Sequence, residues 1–94
     1  MNNIYERTVK HFGIDNQMRQ TQEECAELIV AINKFMRFGD KDISVIYNVA
    51  EEIGDVEIML TQIKSIFPSE TLEAIKAYKL KKLERLLNNG HPRI

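Results

Sequence analysis

Apolar residues recur along most of the chain at spacings of three and four, the period of an amphipathic helix, and no stretch shows the apolar/polar alternation of a half-buried strand. Breaks are few. The glycines are Gly13, Gly39, Gly54 and Gly90 and the prolines Pro68 and Pro92, so the pattern divides into long helices with short joins. A first helix is expected from about Asn3 to Phe12, stopped by Gly13, which without a side chain can take left-handed C-cap geometry. Asp15 or Asn16 is placed to cap a second helix running through Gln17 to about Arg37. Asp40 or Asp42 is placed to cap a third reaching about Phe67, where Pro68 ends it. Ser69, followed by Glu70 and Glu73, marks the start of a fourth, with its hydroxyl as the cap and carboxylates at the positive end of the helix dipole; Gly90 closes it. The expected fold is all-α, one domain over residues 1–94 arranged as an antiparallel helical bundle.

Placing residues around each helix at about 100° apiece puts most charges on the polar side. The second helix has an apolar arc of Met18, Cys25, Leu28, Ile29, Ala31, Ile32, Phe35 and Met36. Glu24 projects into it between Ala31 and Phe35, with Glu27 at its edge and Glu23 outside. The third helix repeats the anomaly. Val45, Ile46, Val49, Ile53, Val56, Met59, Leu60 and Ile63 form its stripe, with Glu52 inside it, Asp55 at the edge and Glu51 pointing away. In both helices the paired acids stand three residues apart, a spacing that brings helix side chains within reach of one another.

Burying an ionised carboxylate alone costs on the order of several kcal/mol, so an acid on an apolar face is protonated, paired with a base or bound to a cation. Four converging acids call for a cation. Oxygen-only ligation, with no nearby histidine or cysteine spacing, suits a hard ion such as Mg²⁺ or Mn²⁺ and argues against zinc. Two other readings compete: solvated helix-edge acids, which fits Glu23 and Glu51 best, and structural ion pairs with Lys79 or Lys82. The fourth helix carries Leu72, Ile75, Leu80, Leu83, Leu86 and Leu87 on its apolar face. Lys79 lies among them, Lys82 at the margin, Tyr78 and Arg85 farther round. These bases are either snorkelling side chains or a cationic wall facing phosphate oxygens.

Composition narrows the function classes. A chain of 94 residues builds one domain with a small core, which self-association would enlarge. The hydrophobic share of 44% rules against disorder, and apolar runs of only a few residues rule against a membrane span. A net charge of -1 gives no general electrostatic reason to expect nucleic-acid binding, so no nucleic-acid partner is expected. Cys25 has no partner for an internal disulfide, and the start Met1-Asn2-Asn3-Ile4 lacks the layout of a secretion signal, so a cytoplasmic location is expected.

The run Glu23-Glu24-Cys25-Ala26-Glu27, followed on the next helix by Glu52-Ile53-Gly54-Asp55, resembles the EExxE and ExxD motifs of the MazG-like all-α NTP pyrophosphohydrolases. The surrounding words, Glu24 to Ile29 (ECAELI) and Ala50 to Leu60 (AEEIGDVEIML), extend the likeness, which covers about Gln17 to Arg85. The resemblance implies Mg²⁺-dependent hydrolysis of a nucleoside triphosphate, NTP or dNTP, to the monophosphate and pyrophosphate. It implies that Glu24, Glu27, Glu52 and Asp55 hold the metal. A carboxylate of this cluster, or Glu23 if its helix turns it inward, would accept the proton of the attacking water.

Lys79, Lys82 and Arg85 are similar to the basic residues that family members carry on the following helix for phosphate contact. Asn48, one turn before Glu52, and Gln17 or Gln20 are candidates for base or sugar. Family members form dimers or tetramers, so a homodimer or homotetramer is implied. Tryptophan, which several relatives stack on the base, is absent here, leaving Tyr47, Tyr78 or Phe38 for that place. Rival functions are a phosphoribosyl-ATP pyrophosphohydrolase, a dUTP- or dCTP-specific relative, and a non-catalytic helical interaction module. A ferritin-like di-iron site needs Glu-x-x-His pairs, and the only histidines, His11 and His91, belong to neither acidic pair.

Overall fold

A computed structural model describes residues 3–90, so His91 and the residues beyond it lie outside the described part. Four α-helices follow one another: α1 (Ile4–Phe12), α2 (Ile14–Phe38), α3 (Ile43–Lys64) and α4 (Ser69–Asn89). A 3-10 turn (Gly39–Lys41) joins α2 to α3, and there is no strand among the described residues.

Local chemistry explains most boundaries. The Asn3 side chain accepts the Glu6 N–H at 2.9 Å and so caps α1. Gly13, at φ 90°, closes α1 through its N–H to the Val9 carbonyl at 2.8 Å. The same positive φ turns the chain so sharply that α2 starts at once at Ile14, earlier than expected and without a side-chain cap. Asn16 therefore does not cap α2; its amide instead donates to the Phe12 carbonyl at 2.8 Å, satisfying an acceptor at the end of α1.

Asp42 caps α3, its Oδ1 accepting the Ser44 hydroxyl at 2.7 Å and the Ser44 N–H at 3.0 Å. Those two bonds, the hydroxyl's first, hold the Asp42 carboxyl below the ordinary carboxylate range. α3 stops at Lys64, short of Phe67, because the Ser65 hydroxyl turns back onto the Gln62 carbonyl at 2.7 Å and the next residues form a turn. Ser69 does not cap α4. Pro68 occupies the N-cap position, and Ser69 is already helical. Gly90 takes φ 67° and ends α4 in left-handed geometry.

α2 and α3 pack along their lengths as a helical hairpin, and α1 lies against both. The hairpin is antiparallel. Gln17 meets Gln62, and farther along Glu24 comes together with Asp55 and Glu52, so each step along α2 is matched by a step back along α3. Its dry interior is small: Ala31 from α2, Val56 and Met59 from α3, with the polar Gln17, Thr21 and Gln62 buried beside them.

α4 does not join the bundle, which corrects the four-helix packing expected from the sequence. Among the described residues it makes no packed interface with α1, α2 or α3. The extended Pro68, at ψ 121°, leads the chain away from the hairpin. The radius of gyration is accordingly 16.8 Å, against about 12 Å for a compact domain of this length. Most of the expected apolar arcs are also open. Ile29, Ile32, Phe35 and Met36 on α2, Ile46, Ile53 and Leu60 on α3, and Ile75, Leu80, Leu83 and Leu87 on α4 are exposed. No helix among the described residues is long and apolar enough to cross a membrane.

Candidate metal centre

The antiparallel register brings the acids of the two helices together. Glu24 from α2 and Glu52 and Asp55 from α3 each offer a carboxylate oxygen, and the three oxygens lie within 4.8 Å of one another. That separation is close to the roughly 4 Å spanned by two opposed metal–oxygen bonds of about 2 Å. All three side chains are partly buried.

Glu24 is oriented by its own helix. Gln20, one turn earlier, donates its side-chain amide to Glu24 Oε1 at 2.8 Å. The other oxygen, Oε2, is buried with no hydrogen-bond partner, and Glu52 Oε2 is orphaned in the same way. Unsatisfied buried polar atoms are rare in folded proteins, and an ionised carboxylate is the costliest kind to leave so.

The electrostatics follow from this crowding. Burial is the largest influence raising the Glu24 carboxyl above its ordinary range. The charges of Glu27 and Asp55 and a hydrogen bond to Asp55 act in the same direction, against the lowering effect of Gln20. Burial likewise leads for Glu52, reinforced by the charges of Glu27, Asp55 and Glu24 and by a hydrogen bond to Glu27. A divalent cation would compete with protons for the Glu24 and Glu52 oxygens, and an all-carboxylate donor set fits a hard ion.

Glu27 stands differently from the other three: it is exposed and lies at the rim of the cluster, lining a cleft that also contains Glu52 and Asn48. The structure thus joins three of the four expected ligands and keeps the fourth beside them. Glu23 and Glu51 are exposed and take no part in the cluster.

The basic residues of α4 are not brought to these acids. Lys79, Lys82 and Arg85 are exposed on a helix that stands clear of the hairpin, and Lys79 lines a separate cleft with Lys64, Leu72 and Lys76. The ion-pair reading of Glu24 and Glu52 falls with that placement, since the one salt bridge among the described residues joins Lys76 to Glu73 at 4.0 Å. Gln17, a candidate for sugar or base, is buried against Gln62. Tyr47, Tyr78 and Phe38 are exposed, and none lines the cleft beside the cluster. The residue missed by sequence reasoning is Lys34, which does line it; a lysine on an open helix face carries no signal that separates it from a solvated one.

No family model, curated protein or solved structure matches this chain.

Proposed function

We propose that the chain is a MazG-like nucleoside triphosphate pyrophosphohydrolase, dependent on Mg²⁺ with Mn²⁺ as a substitute, that cleaves between the α and β phosphates. The observation that carries this reading is the pair of orphaned, buried oxygens, Glu24 Oε2 and Glu52 Oε2, on two residues that cluster with Asp55 across two helices. Together with the EExxE and ExxD spacing on the same helices, it favours a cation-binding reaction centre over a solvated acidic patch.

Glu24, Glu52 and Asp55 would hold the ion. Bound there, it supplies Lewis-acid stabilisation of phosphate charge and lowers the pKa of a water. Gln20 fixes the Glu24 carboxylate, which limits the reorganisation needed when the substrate arrives. Glu27, exposed at the rim and lining the same cleft as Glu52, is the carboxylate of this cluster open to take up the proton of an attacking water and release it to solvent. Glu23, exposed and away from the cluster, is a poorer base on geometry.

The working unit in this reading is a homo-oligomer. The single chain exposes 7931 Å², against about 5600 Å² for a compact monomer of its mass. The exposed surface includes many large apolar residues of α2, α3 and α4, with Leu87 81% and Ile43 82% exposed. A second copy laid over these faces is the route by which the basic residues of α4 would reach an acidic cluster.

The test is to incubate the protein with each NTP and dNTP, and with phosphoribosyl-ATP, in the presence of Mg²⁺ and to identify the products. Monophosphate and pyrophosphate are expected, and the preferred substrate sorts the general hydrolase from its specialised relatives. Diphosphate with orthophosphate contradicts the proposed bond cleavage, and absence of turnover on every substrate favours the interaction module.

A further inference from the structure

A cleft of about 310 Å³ runs between α2 and α3 directly beside the acidic cluster, lined by Ala26, Glu27, Val30, Lys34, Asn48 and Glu52. Its two ends differ in charge. Glu27 and Glu52 form the end that adjoins the cluster, while Lys34 and Asn48 form the other. Val30 stands between them along α2, and Ala26 lies just before Glu27. Lys34 follows Glu27 by two helical turns, about 10 Å of rise. Side chains on a helix tilt toward its N-terminus, so the Lys34 stem leans back over Val30 toward Glu27 and the acids. Asn48, on antiparallel α3, lines the same cleft as Lys34. Among the described residues no carboxylate lies within 4.0 Å of the Lys34 ammonium, so its charge is uncommitted.

We propose that this cleft is a phosphate subsite, in which Lys34 and Asn48 hold a phosphate group of a polyphosphate ester next to the group bound at the acids. The proposal rests on the triphosphate reading of the cluster and adds to it the cation that the fold of one chain supplies. The chemistry is specific. An ammonium is a compact point charge with three donors that suits phosphate oxygens, and an Asn amide adds a neutral donor. A ligand that bridges the cleft is anionic at both ends, one end meeting the acids through a divalent ion and the other meeting Lys34 directly. A nucleobase alone satisfies neither end.

The test titrates magnesium pyrophosphate calorimetrically into the full chain and into Lys34→Met, Lys34→Arg and Lys81→Met variants. Lys34→Met keeps an apolar stem of similar length on an exposed position, so its melting curve should match the parent's. The parent and Lys81→Met are expected to bind alike, Lys34→Met about tenfold more weakly or worse, and Lys34→Arg to retain most of the affinity. In turnover with a triphosphate, KM should rise by a similar factor for Lys34→Met while kcat changes less. Equal affinity of Lys34→Met and the parent for magnesium pyrophosphate overturns the proposal, as does a parent that does not bind it. A parent that binds magnesium pyrophosphate through Lys34 yet hydrolyses no triphosphate upholds the subsite and overturns the hydrolase reading instead.

Discussion

Gln17 and Gln62 meet across the α2/α3 interface, where the Gln17 side-chain amide donates a 2.6 Å hydrogen bond to Gln62 Oε1 and both side chains are buried. The Gln62 amide in turn points at the Met59 sulfur, at 3.6 Å. Apolar packing between two helices tolerates sliding; a buried amide pair does not, because a slip leaves both partners unsatisfied. The same register sets Glu24 against Asp55 and Glu27 against Glu52, so the glutamine pair is what aligns the acids.

Removing one partner of that pair should therefore cost more than removing both. Gln62→Leu leaves the Gln17 amide buried without an acceptor, and a loss of about 1–3 kcal/mol is expected in urea denaturation. The double variant Gln17→Leu/Gln62→Leu should recover a substantial part of that loss. Strictly additive single losses would contradict the pairing.

The stability of the metal-free protein should depend on pH in a direction opposite to that of ordinary salt-bridged acids. Glu24 and Glu52 have carboxyls raised above their ordinary range in the fold. The native state then holds more protons than the unfolded chain, so stability from these groups falls as pH rises from the ordinary carboxylate range up through the raised values. Thermal melts between mildly acidic and neutral pH should show this fall in chelator. Saturating Mg²⁺ should reverse it, because the ion competes with protons for the same oxygens. A metal-free protein that gains stability over that window would contradict the clustered geometry.

Assembly can be read separately from chemistry. Leu80 on α4 is 58% exposed in the single chain, on a helix that packs on none of its neighbours, so Leu80→Glu should leave the helical content of a chain intact. If α4 is an interface, the variant should shift the solution mass measured by light scattering from an oligomer toward 11.0 kDa and lose activity with it. An unchanged mass would place the contact elsewhere.

Much of this architecture is legible in the sequence for definite reasons. Gly13, Asp42 and Gly90 act through backbone freedom or a single side-chain bond, which are local and so can be read from neighbours alone. Glu24 and Glu52 betray themselves because an acid inside an apolar arc needs a partner whatever the tertiary arrangement. Three features are not local. Gln17 reads as a candidate for base or sugar and Gln62 carries no signal, since nothing in either helix announces that the other supplies its hydrogen bond. The apolar face of α4 looks the same whether it covers its own chain or another copy, so the sequence pattern placed it in a bundle that a single chain does not form. Lys34 becomes distinct only once the α2/α3 hairpin sets it in one cleft with Glu27, Glu52 and Asn48.

Whether Glu24, Glu52 and Asp55 form a divalent-cation centre is tested most directly by calorimetric titration of Mg²⁺ into the parent, Glu52→Gln and Glu51→Gln. Glu52→Gln keeps the side-chain shape and deletes a charge in the cluster, whereas Glu51→Gln alters an exposed neighbour. The parent and Glu51→Gln should bind Mg²⁺ with similar affinity and melt at higher temperature in its presence. Glu52→Gln should bind at least about tenfold more weakly, lose most activity, and melt without metal no lower than the parent, since one repelling charge is gone. Undiminished Mg²⁺ binding by Glu52→Gln, or loss of binding in Glu51→Gln instead, would contradict the account.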